Sequence, residues 1–244
     1  MRTIILHYHL FKNAGTSLDS ALKANFSEVE KVWVTNEFPG NPQQNREGLK
    51  QWIIDNPQAQ CFSSHTAIFP VPHIEGINII PVLFLRNPID RIASAYSFEK
   101  NEKGNGFGCT LARHTTLAGY VDTHLSINAR QCINFQSQRL ATMFDGKQGD
   151  EAARAKMAME KLPFIGLVER YSQSLTELEQ LLRKEGFEGI TLKPVEANVS
   201  RPIQVSLDDK LLEIKAQLGE ELYQRLLMVN ELDLNLWRSQ LQKE

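Results

Sequence analysis

Apolar runs of strand length alternate with helix-period segments through the first hundred residues of the chain. Residues 3–8 (TIILHY) read as a buried strand, 16–25 as a helix, 32–35 as a short strand, and 46–54 as a helix around Leu49, Trp52 and Ile53. Two further strands follow at 60–65 (QCFSSH) and 77–86 (INIIPVLFLR). The second is almost continuous in apolar residues, as a central strand of a parallel sheet should be. Pro88 then opens a helix over 88–101, at the position where its missing N–H costs least. Beyond it, segments 126–144, 150–161, 173–185, 207–217 and 219–241 carry apolar residues at three- and four-residue intervals, while 161–169 and 189–193 read as late strands. Gly/Asn/Pro clusters at 39–45 and 103–108 mark loops, the first long enough to be mobile. Strands alternating with helices need crossover connections, and crossovers give a parallel sheet. The expected fold is α/β: one domain over residues 1–244, a central parallel sheet flanked by helices, and a helical C-terminal half.

Composition narrows the function. The chain has 244 residues, 42% of them hydrophobic, enough to bury a full core. Lys and Arg number 27 against 29 Asp and Glu, a formal charge of −2, so no global basic field exists to drive nucleic-acid binding. No nucleic-acid partner is expected, and any anion site must be local. Cys61, Cys109 and Cys132 show no CxxC spacing, which suits reduced thiols and argues against a structural zinc site. His7, His9 and Lys12 interrupt the first apolar run, and no run reaches the roughly 18 residues of a membrane span. A cytoplasmic chain without a transmembrane segment is expected; its oligomeric state stays open.

Candidate chemistry lies in two segments. The first is HYHLFKNAGTSLDSALKANF, residues 7–26, a strand running through a tight turn into a helix. Such a junction leaves the first helical N–H groups unpaired at the mouth of the sheet, where the helix dipole adds positive charge. Gly15 lets the backbone approach a ligand, Thr16 and Ser17 add hydroxyls, Lys12 supplies a mobile charge, and Asn13 and Ala14 complete the turn. These are the parts of a P-loop-like phosphate cradle. The lysine precedes the glycine, so this is not a Walker A loop, and an ordinary helix cap is the competing reading. The second segment is LRNPIDRIASAYSF, 85–98. Arg86 ends the most apolar strand, where open α/β sheets bind ligands, and Ser94 follows one to two turns into the helix. The competing reading is an ordinary Arg86–Asp90 pair.

Together the segments resemble the sulfotransferases that use 3′-phosphoadenosine 5′-phosphosulfate (PAPS). HLFKNAGTSL is similar to their His-x-Pro-Lys-Thr-Gly-Gly-Thr-Ser segment, and RNPIDRIASAYSF to their Arg-x-Pro-x-x-Arg-x-x-Ser-x-Tyr segment. Phe11 stands where the proline is usual, and Asn13-Ala14 replaces Thr-Gly. The pattern is nearest the carbohydrate enzymes of the heparan 2-O and chondroitin/dermatan type. Weaker echoes at 134–141, 164–182 and 198–202 extend the resemblance over roughly residues 4–202.

The resemblance implies transfer of a sulfuryl group from PAPS to an acceptor hydroxyl, of a carbohydrate or glycan in the nearest relatives, by in-line displacement without a metal. It assigns the 5′-phosphosulfate to Lys12–Ser17 and the 3′-phosphate to Arg86 and Ser94. Lys12 would stabilise the leaving oxygen, and Arg201 would add a PAPS contact. FSSHTAIF resembles the region where a strand-end histidine acts as base, which assigns that role to His65; His9 and Glu37 are its rivals. Gln136 and Arg139 lie in segments near the nucleotide or acceptor in that family, and Trp33, Phe38 and Phe107 are candidates to line an acceptor cleft. The alternatives are a P-loop-like ATP-dependent kinase, which needs Mg²⁺ and a Walker B carboxylate that the sequence does not offer after a suitable strand, and a non-catalytic nucleotide- or sulfated-glycan-binding module.

Overall fold

The computed structural model describes residues 1–27, 29–30, 32–194 and 205–243. The chain opens with β1 (Arg2–Tyr8), α1 (Gly15–Lys23), β2 (Trp33–Thr35), α2 (Pro42–Asp55), β3 (Cys61–Ser64), β4 (Ile77–Val82) and β5 (Phe84–Leu85). Next come α3 (Pro88–Asn101), α4 (Phe107–His114), α5 (Leu117–Ser126) and α6 (Phe135–Ala141). The chain then forms α7 (Glu151–Lys161), β6 (Gly166–Leu167) and α8 (Tyr171–Lys184), and closes with α9 (Leu207–Leu218), α10 (Glu220–Val229) and α11 (Glu231–Leu241). It is an α/β protein with a parallel sheet flanked by helices and a helical C-terminal half. Among the described residues, no helix is long and apolar enough to cross a membrane.

Contacts divide the chain into two compact units, each drawn from two stretches of sequence. The first holds Met1–Leu85 and the stretch from Arg139 through α8; the second holds Arg86–Gln138 and the three C-terminal helices.

In the first unit the strands order β2-β3-β1-β4, every pair parallel. β1 is paired on both sides, which is why Ile4 to Tyr8 are all buried. α1 covers one face of β1, with Leu18, Ala21 and Leu22 joining Ile5 in a core completed by Leu175, Leu178 and Leu182 of α8. The expected strand at 77–86 is interrupted at Leu83, two residues after Pro81, whose missing N–H removes one ladder donor. Beyond the break, β5 pairs with β6. Consecutive carbonyls of an extended chain point to opposite sides. The Leu83 carbonyl accepts the Gly166 N–H at 3.0 Å, and the next one, of Phe84, accepts the Asn13 side chain at 2.7 Å. β6 and the turn after β1 therefore flank β5 on opposite sides. The chain leaves β1 toward β2 and leaves β5 toward β6, so strand order reverses beside the carboxyl end of β1, where open α/β sheets hold ligands.

Three first-unit expectations change. Residues 42–45 are helix rather than mobile loop, because the Asn41 side chain accepts the N–H groups of Gln43 and Gln44 and Pro42 starts α2. The strand expected at 161–169 shrinks to β6, since the chain turns at Val168–Arg170 into α8. Residues 189–193 form no strand; Asn25 pairs with both backbone groups of Thr191.

The second unit is helical, and its core gathers Ile89, Ile92, Tyr120, Val121, Ile214 and Leu226. α4 and α5 occupy a stretch with no predicted element. The helix expected over 126–144 is broken, with Asn128 and Asn134 at left-handed φ of 52° and 43°. Buried side chains of the C-terminal helices hold the break: Asn230 accepts the Asn134 N–H at 3.0 Å, and Asp233 accepts those of Gln136 and Ser137 at 2.9 and 2.7 Å. Asp233 is 1% exposed. Asp233→Ala would leave both N–H groups buried and unpaired, at about 1–3 kcal/mol each. Urea denaturation of this variant should show a loss of roughly 2–4 kcal/mol; a loss near zero would mean that water reaches the start of α6.

Candidate active site

The turn after β1 is wound tightly. The Leu10 N–H donates to Tyr8 O at 2.9 Å and the Asn13 N–H to Leu10 O at 3.1 Å. Lys12 and Ala14 take left-handed φ of 63° and 58°, a conformation that costs a non-glycine residue about 1–2 kcal/mol and persists only where the surroundings enforce it. Buried Asn13 supplies the restraint through Phe84. α1 starts at Gly15 with no side chain capping its N-terminus. The first-turn N–H groups at Gly15, Thr16 and Ser17 therefore lack intrahelical partners at the positive end of the helix dipole. Thr16 is exposed, and Lys12 and Ser17 are half-buried. All six candidate residues from Lys12 to Ser17 thus lie on one strained turn and the helix end it feeds.

Beneath the turn is a group that the sequence motifs did not reveal. Side chains alternate along a strand, so His7 and, just past the strand, His9 share the face of Ile5 that α1 covers. Asp19 of α1 meets both: Oδ1 lies 2.7 Å from His7 Nδ1 and Oδ2 2.9 Å from His9 Nδ1. The Ser63 hydroxyl lies 3.2 Å from His7 Nδ1. A carboxylate can only accept, so both imidazoles carry a proton on Nδ1. Burial acts to raise the Asp19 carboxyl, but the two histidines outweigh it and hold the group well below the usual carboxylate range. The signal in the sequence was His-x-His on one strand face with a single acid in the next helix. Two nitrogens and an oxygen within 4.8 Å of one another also form a donor set suited to a transition metal. Separations of 2.7 and 2.9 Å are those of hydrogen bonds, shorter than the roughly 3.3 Å between ligands on one tetrahedral zinc.

His9 links this cluster to the turn and to His65. A Cβ at Gly15 would stand 2.0 Å from His9 Cδ2 and 2.2 Å from Nε2, so the glycine admits a ring. On its other side the His9 ring centroid lies 3.7 Å from that of His65. His65 follows β3, whose end is in register with that of β1: Tyr8 pairs with Ser64, and the His9 N–H donates to Ser64 O at 2.9 Å. The His65 backbone N–H donates to the Glu37 carboxylate at 3.1 Å. The three residues between which the sequence left the base open therefore adjoin one another. They differ in access, because His9 is 6% exposed beneath Gly15 whereas the His65 side is exposed. Burial lowers the pKa of His65, and neighbouring His9 adds to the effect. Burial likewise lowers His9 against the opposing pull of Asp19. Both imidazoles are therefore neutral near pH 7.

In the second unit, Arg86 donates from Nε to Asp90 Oδ2 at 2.7 Å, with Nη2 at the same distance from that oxygen. The competing reading of this segment is thus realised in part, with both side chains mostly buried. Gln136 works as a clamp: its carboxamide accepts the Arg86 N–H and donates to the Arg86 carbonyl, each at 2.9 Å. Ser94 is half-buried on α3. Arg91 is wholly buried over the Phe135 ring, at 4.6 Å, and donates to the Gln131 carbonyl. Arg139, at the edge of the first unit, is partly buried, which lowers its pKa. Arg201 lies outside the described residues. Trp33 and Phe38 are buried, Phe38 with its ring edge-on to Trp52. Phe107 is exposed.

No family model matches the chain. It is similar to an uncharacterized protein of Archaeoglobus fulgidus, 37% identical over an alignment that covers 97% of this chain and 95% of the relative.

Replacing a helical glycine by alanine ordinarily stabilises by about 0.5–1 kcal/mol. At Gly15 the reverse is expected, because the methyl group would enter the His9 ring that Asp19 holds, an overpacking worth about 1–3 kcal/mol. Chemical denaturation should show Gly15→Ala destabilised, and the penalty should vanish in a His9→Ala background; equal penalties in both backgrounds would separate the two residues.

Proposed function

We propose that the family to which this chain belongs, together with the Archaeoglobus fulgidus protein, consists of sulfotransferases that move a sulfuryl group from PAPS to an acceptor hydroxyl, that of a carbohydrate. The observation that carries this reading is an accessible, neutral histidine, His65, at the carboxyl edge of a parallel sheet and joined through the His9 ring to a strained, lysine-bearing turn ahead of an uncapped helix. The turn fits an anionic donor, since unpartnered first-turn N–H groups, the helix dipole and Lys12 all favour negative charge.

PAPS supplies the sulfuryl group. The acceptor oxygen forms the new bond to sulfur while the bond from sulfur to the bridging phosphate oxygen breaks, and the nucleotide leaves with the electron pair. Lys12 and the first turn of α1 stabilise charge that grows on that oxygen in the transition state. His65 takes the acceptor proton. Its lowered pKa keeps it neutral and ready to accept, and such a base contributes about 10²–10⁴-fold. Arg86, oriented by Asp90 and clamped by Gln136, and Ser94 supply the 3′-phosphate contact.

Calorimetry distinguishes this function from its alternatives. 3′-Phosphoadenosine 5′-phosphate (PAP) should bind without metal and at least about tenfold more tightly than ADP, since a charge-assisted bond is worth about 1.5–3 kcal/mol. Equal affinities would remove the sulfotransferase assignment, and tighter binding of ATP with Mg²⁺ would favour a kinase. PAP binding with no transfer to any sugar would favour a binding module.

His65→Ala should fold and bind PAP normally while transfer falls by about 10²-fold or more. Because the His65 pKa is lowered, wild-type activity should rise with pH through a midpoint below that of free histidine and level off at higher pH. The variant should lose the rising limb. If it keeps near-normal transfer, Glu37 becomes the next residue to replace.

A further inference from the structure

Asp19 lies in the strand–turn–helix segment 7–26 but is given no role there, and it bonds both buried histidines. We propose that Asp19 is a positioning residue for the base: by accepting the Nδ1 protons of His7 and His9 it fixes the His9 ring, and that ring holds the His65 side chain in its working orientation. The inference rests on the reading of His65 as the base.

Five contacts support it. Asp19 uses both oxygens, one on each imidazole, at 2.7 and 2.9 Å. His9 can swing neither toward α1, where the Gly15 backbone touches its edge, nor toward His7, whose ring is stacked 5.1 Å away. The remaining face of His9 meets His65 at 3.7 Å. The charged and titratable groups that bear on His65 are His9 at the end of β1, Glu37 after β2 and Asp19 on α1. With one carboxylate between two imidazoles, the proton positions are determined: Nδ1–H on each ring, leaving Nε2 as the basic nitrogen unless a second proton is taken up.

The substitution Asp19→Asn tests this assignment. An amide presents one acceptor and one donor face, so it can take an Nδ1 proton from only one histidine. The other must change tautomer or lose its bond. Loss of the carboxylate also removes a charge that favours protonation of both His9 and His65.

Nitrogen NMR of histidine-labelled protein, with no ligand added, should show His7 and His9 protonated at Nδ1 in the wild type. In Asp19→Asn, one of them should switch to Nε2–H, and the His65 titration should move to lower pH. In assays with PAPS, kcat should fall by about 10–10²-fold while the KM for PAPS stays within about twofold. The acid limb of the pH–rate profile should shift the same way as the NMR midpoint. A merely structural Asp19 would lower the unfolding midpoint and leave the limb in place. Wild-type His7 or His9 with a bare Nδ1 would overturn the assignment, as would an unmoved His65 titration in the variant. The wild-type measurement holds even if the variant does not fold. Correct tautomers with no transfer to any acceptor would sink the function and retain the ordering by Asp19.

Discussion

One carboxylate satisfies two buried imidazoles, and much of the first unit is arranged so that it can. Asp19 must lie over the face of β1 that carries His7 and His9, which sets how α1 returns along the strand. The return brings Gly15 onto the His9 ring, so the helix has to begin on a residue without a side chain. The chain has only six residues, His9 to Ala14, in which to leave β1 and start that helix, and it manages this with two left-handed positions. Removing Asp19 would strip both buried imidazoles of their carboxylate, which is costlier than never burying them.

Most of the first unit could be read from the chain because its signals are local. A nearly unbroken apolar run marks β1, and in the second unit Pro88 likewise marks the start of α3. What escaped depends on contacts between distant residues. The break in the expected helix over 126–144 is held by Asn230 and Asp233, about a hundred positions away. The helical period Leu117, Tyr120, Val121, Leu125 of α5 is present in the sequence, but Gly119 and the Thr115-Thr116 pair weaken the local propensity around it. Pro81 and Leu83 divide a strand that hydropathy alone joins.

The same division runs through the candidate site. The turn from Lys12 to Ser17 was legible as a unit because the strand end, the glycine and the helix start follow one another in consecutive residues. His9, His65 and Glu37 differ in burial, which no spacing reports: His9 is sealed beneath the turn, whereas His65 and Glu37 are exposed. Asp19 was invisible because a strand and the helix after it bring partners together at a separation that differs from fold to fold. At Arg86 the pairing with Asp90 is present, and it does not conflict with the proposed role, since it would orient the guanidinium.

Alanine and lysine at the two left-handed positions of the turn have a thermodynamic meaning beyond strain. Glycine there would relax the native backbone, but it would also multiply the conformations open to the segment whenever it loosens. With side chains at Lys12 and Ala14, and with Asn13 fastened to Phe84, the turn gives up little freedom when an anion arrives. The entropy of ordering has been lost at folding rather than at binding, so more of each contact's free energy appears as affinity. Where the resembling enzymes carry Thr-Gly, Asn13-Ala14 makes this turn stiffer, and under the proposed function that stiffness would favour one shape of phosphate over several.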